Sequence, residues 1–114
     1  MALAPEYQAM FDQLAKNGPA PGISDLPVPD GRSVYRSMRP VNSELPVHKI
    51  EDCNIEGPLG EIPVRVYRPA GDGPIGVLVY FHGGGWVIGD IDTADSVCRE
   101  LSTLAELVVV SVDY

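Results

Sequence analysis

The chain has 114 residues, a hydrophobic fraction of 45% and a net charge of −8, with a pI near 4.5. That is enough for one small domain and too little for two. The acidic balance argues against nucleic acid and anionic membrane surfaces as partners, because counterion release needs clustered Lys and Arg.

The opening MALAPEYQAM has neither a basic segment nor a long apolar run, so it does not read as a signal peptide. The longest apolar runs are far below a membrane span. Cys53 and Cys98 stand far apart, in no CxxC and no Cys/His spacing suited to zinc. These features lead to the expectation of a soluble cytoplasmic protein with two free thiols, one disulfide being the alternative, and no metal or other cofactor.

In chain order, PEYQAMFDQLAKNG begins with Pro5 and places Tyr7, Met10, Phe11 and Leu14 on one stripe of a short helix that should dock on something. Residues 18–31 hold four prolines and three glycines and read as a loop or spacer. RSVYRSMRP, with Arg32, Arg36 and Arg39, reads as a short amphipathic element. VHKIEDCNI and IPVRVYRP are extended runs around the turn EGPLGE. In the second, Ile62, Val64 and Val66 alternate with Pro63, Arg65 and Tyr67, which predicts one buried face, one wet face and, from Pro63, an edge position. IGVLVYFH and LVVVSVDY are apolar nearly throughout, as strands buried on both faces would be. Between them DTADSVCRELSTLAE keeps a helical stripe of Ala94, Val97, Cys98, Leu101, Leu104 and Ala105, with Asp92 as the expected N-cap. Strand, helix, strand is a βαβ unit, and the fold class is α/β.

HGGGWVIGD follows the first of those strands, and its three successive glycines need a reason. A P-loop needs a Lys that is missing here, and a dinucleotide fingerprint would need glycine where Ile88 stands. DIDT at 90–93 matches the DxDxT signature of aspartyl-phosphate phosphatases, but Gly89 breaks the strand that signature requires; capping of a helix start is the competing reading of these aspartates. An oxyanion hole fits the glycines best. Acyl transfer builds negative charge on a carbonyl oxygen, which needs N–H donors converging on one point, and glycines let successive N–H groups turn together without side chains in the way.

HGGGW, preceded by VLVYF and followed after a helix by VVVSVDY, resembles the hormone-sensitive-lipase-like (family IV) carboxylesterases of the α/β-hydrolase superfamily. The resemblance implies the N-terminal part of an α/β-hydrolase fold: about four strands in the order 1-2-4-3, a βαβ unit and an N-terminal cap helix. It divides the chain into a cap segment, 1–40, and a partial core, 41–114. It implies hydrolysis of short-chain acyl esters, with Gly84 and Gly85 as oxyanion donors, His82 and Gly83 supporting their loop, and Trp86 lining the substrate pocket. Asp113 matches a structural aspartate of the family, not its catalytic acid.

The family's nucleophile stands in GxSxG, and none of Ser24, Ser33, Ser37, Ser43, Ser96, Ser102 or Ser111 does. His48 lies in an extended run near the N-terminus. The triad is therefore expected on a complementary C-terminal polypeptide, with the isolated chain inactive. The competing expectation is a non-catalytic fragment or interaction module.

Overall fold

The computed structural model describes residues 3–18, 22–73 and 75–114. Helix α1 spans Pro5–Lys16, with proline in its first turn, Glu6 near its start and Lys16 near its end, as its dipole favours. None of its residues is buried, and Tyr7, Met10, Phe11 and Leu14 remain 48–56% exposed. A short 3-10 turn, Ile23–Asp25, leads into helix α2, Val28–Met38. Prolines thus do not keep residues 28–31 out of a helix: Pro27 is the N-cap and Pro29 sits in the first turn, where no intrahelical N–H is required.

Four strands follow: β1, Lys49–Gly57; β2, Gly60–Arg68; β3, Val77–Phe81; and β4, Val108–Val112. Helix α3, Asp95–Ala105, lies between the last two. The sheet order is β1-β2-β4-β3, with β1–β2 and β2–β4 antiparallel and β3–β4 parallel. The expected order and the βαβ unit are both present. Strand β2 is internal rather than at an edge; Pro63 is compatible because the β4 pairing begins only at Val64.

Tyr67, Ala94, Cys98 and Val109 form the core, flanked by Leu78, Tyr80 and Leu101. Tyr67 and Arg65 lie on the face of β2 that was expected to be wet, yet Tyr67 is fully buried. The reason is α3, which covers this face and brings an acceptor with it. Asp95 is fully buried and accepts hydrogen bonds from Tyr67 Oη at 2.8 Å, Arg99 Nε at 2.5 Å and Arg65 Nη1 at 3.3 Å. Arg65 also grips Asp52 through two bonds, at 2.6 and 2.9 Å, and Asp92 at 2.9 Å. The Arg65 guanidinium holds the Asp52 carboxyl below its usual range, and burial with the Asp95 contact pushes the Tyr67 phenol up. Asp92 is thereby taken from the helix start: the N-cap of α3 is Ala94, with no side-chain cap bond.

Strand β4 is largely buried on both faces, as expected, but β3 is not. Its alternate residues Val77, Val79 and Phe81 are 54–64% exposed, on a sheet face that α3 does not cover. With β4 on one side only, β3 is also an edge strand.

Candidate active-site loop

The parallel pair β3–β4 aims its C-terminal ends the same way, and the glycines leave the sheet there. The N–H groups of Val87 and Ile88 both reach the Gly84 carbonyl at 3.1 Å, closing a tight turn over Gly85 and Trp86. Both central residues have positive φ, +59° and +60°, as in a type I′ turn. Glycine adopts this freely, whereas a tryptophan there is strained. At Gly84 (φ +146°) a Cβ would lie 1.7 Å from the Ile88 carbonyl oxygen, so the turn closes only over glycine.

Among the described residues, no backbone or side-chain acceptor receives the N–H of Gly84 or Gly85. The N–H groups of Gly83 and Trp86 are likewise without an acceptor there, so four successive donors are left over around a turn closed by Val87 and Ile88. Trp86 is 91% exposed and belongs to no cluster of the core.

The loop is held at both ends. On the N-terminal side His82 is buried and stacked on Tyr114, ring centroids 4.4 Å apart, and the Tyr114 hydroxyl donates to the His82 carbonyl. His82 Nδ1 donates to the Gly83 carbonyl at 3.1 Å. On the C-terminal side, Arg32 Nε donates to the Val87 carbonyl at 2.6 Å, and Arg36 pairs with Asp90. Asp90 also receives the Thr93 N–H at 2.8 Å, while the Thr93 hydroxyl bonds back to Asp90 N and O at 2.9 Å. Burial opposes ionisation of Asp90, and the Thr93 and Arg36 hydrogen bonds outweigh it, holding the carboxyl below its ordinary range. Asp90 thus caps the turn with Thr93, and because residues 82–89 form loop and turn, the strand that DxDxT requires before its first aspartate is not there.

The other sequence candidates lie elsewhere. Ser102 and Ser111 are fully buried. His48 is exposed and precedes β1. Sequence reasoning did not find Tyr114, Arg32 and Arg36 as supports of the loop; only the cluster of arginines in RSVYRSMRP marked that segment as unusual.

Comparison with known proteins agrees with this fold. Residues 78–114 match a family model described as an alpha/beta hydrolase fold. The chain is 43% identical over 98 residues to carboxylic ester hydrolase LipN of Mycobacterium tuberculosis, an alignment covering 82% of this chain and 26% of LipN. It is 40% identical over 97 residues to esterase LipI of the same organism, covering 78% of this chain and 30% of LipI. Among solved structures, the hyperthermophilic esterase of Pyrobaculum calidifontis superposes with a TM-score of 0.80 at 37% identity, over 100% of this chain and 35% of that one. An ester-hydrolase from the Lake Arreo metagenome gives 0.83 at 36% identity, over 99% and 38%. The chain thus spans between roughly a quarter and two fifths of the length of these relatives. The chain has the N-terminal part of an α/β-hydrolase fold, and over that part it is similar to carboxylic ester hydrolases.

Proposed function

We propose that the chain supplies the oxyanion hole of a serine carboxylesterase acting on short-chain acyl esters, through the N–H groups of Gly84 and Gly85. The supporting observation is that pair of unclaimed donors, side by side in a turn braced at both ends. A serine outside the chain attacks the ester carbonyl, a histidine takes its proton, and the carbonyl oxygen becomes an oxyanion within reach of the two N–H groups. When the tetrahedral intermediate collapses, the alcohol leaves with the proton from the histidine. The donors act more strongly on the oxyanion than on the neutral carbonyl, so they accelerate turnover more than they tighten binding.

His82 and Gly83 serve as loop supports, and Trp86, at the exposed tip, lines the substrate entrance once the rest of the protein is present. No cofactor is required. Residues 1–40 form a cap segment and 41–114 a partial core. A complementary C-terminal polypeptide carries the triad, and the edge of β3 with exposed Val77, Val79 and Phe81 is consistent with further chain packing there. On this reading the protein is cytoplasmic and the 114-residue chain alone is inactive, since none of its seven serines stands in GxSxG. No helix among the described residues is long and apolar enough to cross a membrane.

The test is made in the catalytically complete protein. Exchanging the Gly85 peptide N–H for an ester oxygen removes one donor and adds no side chain. It should raise the barrier by about 2.7–4 kcal/mol, a fall in kcat of roughly 100- to 1000-fold, with KM little changed. Unchanged turnover would refute the oxyanion assignment.

A further inference from the structure

Helix α2 has only two polar side-chain contacts outside its own neighbourhood among the described residues, Arg32 to the Val87 carbonyl and Arg36 to Asp90. Both land on the short segment that closes the glycine turn. Val87 and Ile88 supply the two N–H groups that fold back on Gly84, and Asp90 begins the capped turn that precedes α3. A loop rich in glycine has many open conformations, and a turn with Trp86 at φ +60° is not one the chain adopts unaided.

We propose that Arg32 and Arg36 are positioning residues: a two-point latch by which α2 holds the glycine loop in the shape its free N–H groups need. Residues 28–38 thereby control the site without touching substrate, a role that rests on the oxyanion reading above. The two contacts have different chemistry. Arg32 fixes a backbone carbonyl by a directional hydrogen bond, which withdraws that carbonyl from competing turns. Arg36 is 65% exposed at its side chain while Asp90 is 12% exposed, so this arm is an ion pair reaching from solvent to a nearly buried carboxylate. Lys at position 36 keeps the charge but not the guanidinium geometry. The Arg36 arm should also weaken with added salt, because one partner is open to solvent.

Hydrogen exchange in the complete protein separates the latch from the chemistry. In an Arg32→Ala/Arg36→Ala double variant, the Val87 and Ile88 amides should exchange about tenfold faster, while those of Val109 and Val110 in β4 keep their rates. Turnover should show kcat lowered about tenfold with KM within about twofold, since the loss falls on the transition state. Arg36→Lys alone should recover most of the kcat lost in Arg36→Ala. Unchanged exchange at Val87 and Ile88 overturns the latch. Faster exchange with unchanged kcat overturns the positioning role. If the Gly85 ester variant keeps full turnover, the oxyanion reading falls while the exchange result still decides whether the latch exists.

Discussion

The three glycines should differ sharply when each is given a methyl group. Gly84→Ala puts a Cβ 1.7 Å from the Ile88 carbonyl oxygen at φ +146°. The turn must open or distort, at about 1–3 kcal/mol of backbone strain. Opening also loses the two hydrogen bonds that Val87 and Ile88 make to Gly84, each worth about 0.5–1.5 kcal/mol. A loss near 3 kcal/mol is therefore expected, limited above by the stability of the loop itself. Gly85 sits at φ +59° with nothing within 4 Å of an added Cβ, so Ala there costs only the left-handed penalty, about 1 kcal/mol. Gly83 has neither a positive φ nor a neighbour within 4 Å of that Cβ, and Gly83→Ala should stay within about 0.5 kcal/mol of the parent. Urea denaturation followed by circular dichroism measures all three, with amide exchange at Val87 and Ile88 as the local readout. A Gly83→Ala loss equal to that of Gly84→Ala, or a harmless Gly84→Ala, would refute this account of the loop.

Three other outcomes follow from the packing. Asp95→Ala leaves the buried Tyr67 hydroxyl and the Arg65 and Arg99 guanidinium groups without their shared acceptor; the loss should be about 3–5 kcal/mol in urea denaturation, against about 1 kcal/mol for Tyr67→Phe. The Asp90 carboxyl titrates lower folded than unfolded, so its contribution is complete above the unfolded value of about 4 and is lost as pH falls through the folded one. The melting-temperature gap between the parent and Asp90→Asn should hold at neutral pH and close toward strong acid; a gap independent of pH would contradict the assignment. Cys53 is exposed and Cys98 fully buried, with burial also pushing the Cys98 thiol up. A thiol reagent should therefore modify one cysteine quickly and the second only on unfolding.

The parts of the fold that were legible in the sequence are those where a run of residues has one structural solution. VLVYF and VVVSV are too short and too β-branched for helices, and the stripe between them is too regular for a loop. Pattern failed where a long-range partner decided the outcome. Asp92 looked like a cap because carboxylates suit helix starts, but Arg65 offers it a charged donor. Tyr67 looked wet because it alternates with Val66, until α3 delivered Asp95 to its hydroxyl. Val77, Val79 and Phe81 looked buried because they are apolar, yet covering them requires a layer that lies outside residues 3–18, 22–73 and 75–114. The glycine motif itself was readable, but Trp86 at positive φ was not, because a tryptophan in that conformation is against local preference.

That strained tryptophan and the latch belong to one physical problem. Donors for an oxyanion work by being fixed before charge develops, since reorganising them during the reaction would consume the energy they supply. Glycine solves the steric half of this, letting Gly84 and Gly85 turn without side chains intruding, but it leaves the loop with more conformations than any other residue would. Rigidity then has to be imported. Here it comes from two distant stretches of chain, Tyr114 on the His82 carbonyl and the α2 arginines on Val87 and Asp90, together with the local cap that Thr93 makes on Asp90. Each contact falls on a residue flanking the two donors and none on the donors themselves. On the proposed oxyanion reading, a brace placed there would fix the turn and leave both N–H groups free for the substrate.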